Sequence, residues 1–218
     1  VKGRTVTTAD DLELPQGAFD KQDPGDDRVF YAQPRFVTHI DDQAIAALTS
    51  FYRDALPAGG VLLDLMSSWV SHLPPDVTYG EVIGHGMNAE ELKANPRLAR
   101  WFMQDLNQDQ KLPLDDASLD AVTICVSVQY LQEPVAVFRE IARILKPGAP
   151  LIVGFSNRCF PTKAVAIWRS LHPQDHARLI AAYMRAAGMD DIKARVLCDG
   201  MDSDPFFVVV GRVENKAE

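Results

Sequence analysis

What this sequence has little of already narrows its function. Only three cysteines occur, Cys125, Cys159 and Cys198, far apart and without a CxxC pair. Neither a disulfide framework nor a zinc knuckle is therefore expected, and a reducing cytoplasm is the expected compartment. No apolar run approaches the roughly eighteen residues of a membrane span, and Val1-Lys2-Gly3-Arg4-Thr5 has no apolar core of a signal peptide. No Lys/Arg cluster is present, and 22 basic residues stand against 30 acidic ones, for a formal charge of −8. Binding to a phosphate backbone needs a basic face, so neither nucleic acid nor a membrane is an expected partner. Internal repeats and low-complexity segments are missing as well.

What is there suits one folded domain. The chain has 218 residues, 47% hydrophobic and 24% charged, enough to bury a core without a staple. Residues 1 to about 28 are polar, with Asp23-Pro24-Gly25-Asp26-Asp27 reading as turn or disorder, so a loosely held arm is expected there. An N-terminal arm and lid over 1–40 is expected to precede the main domain, 41–218. Asp41 is placed to cap a helix with Ile45, Leu48 and Tyr52 on one face. Strands are expected at Val61–Leu65, Tyr79–Ile83, Arg100–Met103, Leu119–Val128, Leu151–Phe155, Ile192–Leu197 and Phe206–Val210, the second broken by Gly84 and Gly86. Between them, helices are expected from Asn88, from Pro134, around Thr162–Leu171 and over Pro173–Ala187. This alternation predicts an α/β, doubly wound, mostly parallel seven-stranded sheet with helices on both faces. Its ligand crevice would lie at the carboxyl ends of the strands.

Two stretches carry a resemblance. Leu112-Pro113-Leu114-Asp115-Asp116-Ala117-Ser118-Leu119-Asp120-Ala121-Val122 and the helix Phe138-Arg139-Glu140-Ile141-Ala142-Arg143-Ile144-Leu145-Lys146-Pro147-Gly148 resemble class I S-adenosylmethionine-dependent methyltransferases, and with His176-Ala177-Arg178-Leu179 and Ala186-Ala187-Gly188-Met189 their small-molecule branch. The resemblance runs from about Val61 to Val210. It implies a Rossmann-like fold, the cofactor S-adenosyl-L-methionine and methyl transfer to a small molecule by a monomer or homodimer. A catalytically weak or inactive binding or regulatory protein on the same fold is the alternative. The chain departs from the family at two places. The first loop, usually acidic-x-Gly-x-Gly-x-Gly, reads Asp64-Leu65-Met66-Ser67-Ser68-Trp69-Val70-Ser71. Where an acidic residue usually holds the ribose, the chain reads His85-Gly86-Met87-Asn88.

The resemblance assigns the cofactor to Asp64, Leu65, Met66, Ser67, Ser68, Gly86, Met87, Asn88, Asp105, Leu106 and Ser127. Asp64 would accept from the cofactor's ammonium, and Asp105 from the adenine amino group. Each is otherwise an ordinary turn aspartate. Asn88 or His85 would bond the ribose. The acceptor would lie among Tyr31, Arg35, Trp69, Gln129, Asn157 and Arg158, with Arg158 and Lys163 able to clamp an anion. Tyr130 is either a channel residue or a core aromatic. His39 and His72 are both candidates for the general base, since imidazole titrates near neutral pH, and either is otherwise structural. The His172/His176 pair has helical spacing, but Pro173 makes His172 a cap, and no metal site is expected.

Overall fold

The computed structural model describes residues 6–7 and 12–214, so expectations for 1–5 and 8–11 lie outside the described residues. In chain order the elements are β1 (Val6–Thr7), β2 (Glu13–Leu14), α1 (Asp27–Phe30), α2 (Asp42–Ala55), β3 (Val61–Leu65), β4 (Glu81–Gly86), α3 (Ala89–Ala94) and β5 (Arg100–Met103). Then follow β6 (Ala121–Cys125), a 3₁₀ turn (Val128–Tyr130), α4 (Pro134–Ile144), β7 (Pro150–Ser156), α5 (Ala166–Ser170), α6 (Pro173–Ala186), β8 (Met189–Cys198) and β9 (Phe206–Val213).

Seven strands form the main sheet in the order β5-β4-β3-β6-β7-β9-β8. The first five in that order pair in parallel, and β9 runs antiparallel between β7 and β8. The expected seven-stranded, doubly wound architecture is therefore present. Strand order reverses between β3 and β6: the chain winds outward through β4 and β5, then returns to the other side of β3. Ligands bind at such a switch point because the loops on either side diverge and leave a crevice.

Burial follows the apolar pattern. β3 is buried over its last four residues and β7 throughout, as expected for strands covered on both faces. Helix α4 begins on Pro134, whose missing N–H costs nothing at that position, and buries Val137, Phe138, Ile141 and Ile144. Each such side chain contributes roughly 1.5–3 kcal/mol by leaving water. Helix α2 is capped by Asp41, whose carboxylate accepts from the Ala44 N–H at 2.9 Å, and it buries Ala44, Leu48 and Tyr52. Ile45 sits at the edge of that face, half-buried.

Three local expectations are corrected. Gly84 and Gly86 do not break the second strand but belong to it. Glycine is there because neighbours come close: an added Cβ at Gly84 would meet the Leu98 side chain at 2.3 Å, and one at Gly86 the Ser67 carbonyl oxygen at 2.6 Å. The helix read over 162–171 shrinks to Ala166–Ser170, because residues before it are spent on the N-terminal segment. Residues 18–28 are not a loose arm either. The N–H groups of Ala166 and Ile167 donate to the carbonyls of Asp20 and Ala18 at 2.9 and 2.7 Å, and that of Asp23 donates to Thr162. Lys21 pairs with Asp27 while retaining only 3% of its side-chain exposure. The polar run reads as turn because composition shows the charges but not the two buried lysines that meet them. Among the described residues no helix is long and apolar enough to cross a membrane.

Candidate active site

A cleft of about 560 Å³ opens at the carboxyl ends of β3, β4, β5 and β6. That volume lies within the ordinary range for small-ligand sites.

The floor begins at Asp64, near the end of β3 and 4% exposed. Its carboxylate accepts from Ser67 Oγ at 2.5 Å and from Thr123 Oγ1 at 3.2 Å. Burial pushes its pKa up to about 6 against the pull of those hydroxyls. The next loop turns at Met66, which has φ 56°, the left-handed conformation that favours glycine. Two hydrogen bonds hold it: the Met66 N–H donates to His85 Nδ1 at 3.1 Å, and the Ser67 N–H donates to the His85 carbonyl at 2.6 Å. The other ring nitrogen, Nε2, carries the proton and donates to the Gln104 carbonyl at 3.0 Å. His85 is 1% exposed, and desolvation holds its pKa down to about 4. It is thus a neutral strut joining the ends of β3, β4 and β5. Both ring nitrogens are used, so it is not the ribose ligand that the sequence suggested.

Asn88 is likewise spent. Its side-chain oxygen caps α3 by accepting from the N–H groups of Glu90 and Glu91, and its amide donates to the carbonyls of Tyr31 and Ala32 at 2.9 and 3.1 Å. Gly86 has no side chain and no room for one. We expect Gly86→Ala to force the Ser67 backbone away and to cost about 1–3 kcal/mol, as overpacking does, which thermal unfolding would measure.

The far end is built by residues 105–107, after β5. Asp105 Oδ1 accepts from the Asn107 N–H at 2.9 Å. The Asn107 amide donates both to Asp27 and to the Tyr130 carbonyl, and its side-chain oxygen accepts from the Gln132 N–H. Past β6, Val126 has φ 52°, an outlier for a β-branched residue. Met66, His72 and Val126, three of the five non-glycine residues with positive φ among the described residues, line the cleft. Such strain costs about 1–3 kcal/mol at each position and persists only where the surroundings enforce it. Ser127 also lines the cleft, and its buried Oγ has no hydrogen-bond partner among the described residues.

Residues 31, 35 and 37–41 line the cleft. Trp69 Nε1–H donates to the Val37 carbonyl at 3.0 Å, and the Arg35 N–H donates to Glu91 Oε1 at 2.6 Å. The Arg35 guanidinium lies over the rings of Phe30, Phe160 and Tyr31, at 4.6, 5.3 and 5.7 Å. It hydrogen-bonds only to carbonyls and has no ion pair among the described residues. His39 and His72 both line the cleft. Desolvation lowers both, His72 to about 4 with a further push from neighbouring His39, so both rings are neutral at pH 7. The Tyr130 hydroxyl accepts from the Phe160 N–H at 2.8 Å, and burial raises its pKa.

Of the residues picked out from sequence, the cleft brings together Tyr31, Arg35, His39, Asp64, Met66, Ser67, Ser68, His72, Gly86, Met87, Asn88, Asp105, Leu106, Ser127, Tyr130 and Arg158. Leu65, Trp69, Gln129 and Asn157 do not line it. Leu65 is in the core, Trp69 holds the Val37 carbonyl, and Asn157 is exposed. Gln129 is buried, with its amide donating to the Val126 carbonyl at 3.0 Å. Lys163 is no anion clamp: 1% exposed, it pairs with Asp23 and Asp27 at 3.0 and 3.2 Å. Arg158 lines the cleft but pairs with Asp204 at 2.7 Å. Sequence reading missed Glu91, Val126, Phe160 and Asp204. Only Glu91, on the helix after the second strand, carried a signal.

Comparison with known proteins agrees with this geometry. Residues 68–153 match a family model described as a methyltransferase domain. The matched stretch covers under half of the chain, and it is similar to methyltransferases. The methyltransferase solved in complex with the Haloferax volcanii Trm112 methyltransferase activator superimposes with a TM-score of 0.61 at 16% identity, covering 81% of this chain and 92% of that one. An S-adenosylmethionine-dependent methyltransferase from Mesorhizobium loti gives 0.53 at 16% identity, covering 76% and 97%. A malonyl-[acyl-carrier protein] O-methyltransferase of Hahella chejuensis is 25% identical over 154 residues, 67% of this chain. The chain spans about half that relative's length, 54%.

Proposed function

We propose that the protein transfers a methyl group from S-adenosylmethionine to a small-molecule acceptor in this cleft. The observation that carries the reading is the cleft's position at the switch point. Asp64 and Asp105 stand at its two ends, and Ser127, whose buried hydroxyl has no partner among the described residues, lines it. A buried hydroxyl without a partner costs about 1–3 kcal/mol, a cost that a ligand's polar group removes.

The residues present fit an adenosyl ligand at both ends. Asp64 and the 66–68 turn would hold the aminocarboxyl end, Met87 the adenosine face, and Asp105 with the Leu106 backbone the adenine. Bound there, S-adenosylmethionine supplies a sulfonium methyl for in-line displacement. The protein's share is then positioning and exclusion of water. The covering segment closes the mouth, and Arg35, the cation left unpaired there, would orient an anionic acceptor. That suits the O-methylation of a malonyl group named for the Hahella relative. His39 or His72, neutral at pH 7, would take a proton at a ring nitrogen where the acceptor must lose one. The acidic surface and the lack of a basic stripe favour a small acceptor over nucleic acid. A cytoplasmic monomer or homodimer is the proposed form.

Isothermal titration calorimetry with S-adenosylhomocysteine tests this. Wild type should bind, and Asp105→Ala should bind more weakly by about 1–3 kcal/mol, the value of a buried hydrogen bond to a charged group. Absence of binding at millimolar ligand would sink the reading.

A further inference from the structure

The chain has no carboxylate where the second parallel strand ends. Gly86 is fixed there by the Ser67 carbonyl oxygen, His85 and Asn88 have no free polar atom, and Met87 offers none. A ribose above β4 must find its acceptor elsewhere, since a vicinal diol buried without one loses two hydrogen bonds with water.

Six carboxylates line the cleft: Asp27, Asp41, Asp64, Glu91, Asp105 and Asp204. Asp27 is taken by Lys21, Lys163 and Asn107. Asp41 and Asp204 accept from each other's backbone N–H, Asp41 also caps α2, and Asp204 also holds Arg158. Asp64 is bound by Ser67 and Thr123. Asp105 belongs to the far end, beyond β5. Glu91 stands in the first turn of the helix that follows β4. One of its oxygens, Oε1, accepts from the Arg35 N–H at 2.6 Å. The other, Oε2, has no hydrogen bond among the described residues.

Resting on the methyltransferase reading above, we propose that Glu91 replaces the missing strand-end carboxylate and binds the ribose hydroxyls of the adenosyl ligand. Both hydroxyls can donate to one carboxylate, and charge-assisted bonds of this kind are about twice as strong as neutral ones. Because the same side chain holds the Arg35 backbone, adenosyl binding and closure of residues 30–41 share one residue. Ligand binding thus adds order to the segment that encloses the acceptor.

Glu91→Gln separates the two tasks. The glutamine amide oxygen still accepts from the Arg35 N–H, while the charge and the second acceptor are lost. The experiment titrates wild type and Glu91→Gln with S-adenosylhomocysteine and with its 2′-deoxy and 3′-deoxy analogues, with thermal melts to show that the variant is folded. Wild type should prefer the parent ligand over each analogue. Glu91→Gln should lose between about tenfold and a hundredfold of affinity for the parent, the worth of a hydrogen bond to a charged group, and most of that preference. Undiminished affinity, or an unchanged preference, in the variant overturns the proposal. So does wild type that binds the deoxy analogues as well as the parent, whether or not the variant folds. Wild type that binds none of the three overturns the methyltransferase reading, and this proposal with it.

Discussion

Replacing Asp27 by alanine should lower stability by about 3–5 kcal/mol, the cost of breaking a buried ion pair by removing one partner. Asp27 is the shared anion of two lysines whose side chains are 3% and 1% exposed, Lys21 and Lys163. Without it Lys21 has no carboxylate in contact among the described residues, and Lys163 keeps only Asp23, itself 45% exposed. The Asn107 amide loses one of its two acceptors at the same stroke. For a chain of this size about 1 kcal/mol moves the melting temperature by roughly 2–4 °C, so a fall of about 6–20 °C is expected. Calorimetric melts of wild type and Asp27→Ala would show it. A shift of a degree or less would mean that the lysines swing out to water at no cost, and that residues 18–31 are not anchored by charge. Asp27→Asn should fall between the two, since its amide oxygen still accepts while the charge is gone.

The second large effect has the opposite sign. Asp64→Asn should stabilise the ligand-free protein near pH 8, and the gain should vanish in acid. The folded state raises the Asp64 carboxyl from 3.8 to about 6, so in this region the native state holds a proton more tightly than the unfolded one. Stability conferred by that proton is full below about pH 4 and is lost as pH rises through 6. Above that, the ionised carboxylate burdens the fold by on the order of 3 kcal/mol, at about 1.4 kcal/mol per tenfold change in proton affinity. Asparagine carries no such burden. The difference in unfolding free energy between Asp64→Asn and wild type should therefore climb from near zero at pH 4 to a few kcal/mol at pH 8, with S-adenosylhomocysteine affinity falling in the same variant. Stability given up at a site that must hold a charge is a common trade. A difference independent of pH would show that burial of Asp64 is relieved by water.

How much of this was legible in the sequence depended on whether the signal was local. The run Val61–Leu65 and the Pro134 helix announced themselves, because an apolar run and a proline at a helix start have few other uses. The strand order followed from alternation, and the switch point from strand order. Side-chain commitments were not legible. His85 reads as an open ligand until its two ring nitrogens are seen holding Met66 and Gln104, each 19 residues away on opposite sides along the chain. Lys163 reads as an anion clamp until Asp23 and Asp27 arrive from 140 and 136 residues earlier. Gly84 and Gly86 read as breakers because a close approach by Leu98 or Ser67 leaves the same letter as a turn does. Val126 carried no signal at all: nothing in a valine marks a backbone held at positive φ.

The contacts that hold residues 31–37 at the cleft share a property. Asn88 grips the carbonyls of Tyr31 and Ala32, Trp69 that of Val37, and Glu91 the N–H of Arg35. Every one of these grips takes a main-chain atom, and main-chain atoms are the same whatever residue supplies them. These four hydrogen bonds are thus indifferent to the letters at 31, 32, 35 and 37, although Tyr31 and Arg35 also pack on Phe160, and residues 31, 35 and 37 line the cavity. Substitutions there can change which acceptor is welcomed without breaking these four hydrogen bonds, provided none is proline at 35, where the N–H is needed. Relatives with the same grip and different cavity-facing residues would be variations in taste on one unchanging hinge of backbone.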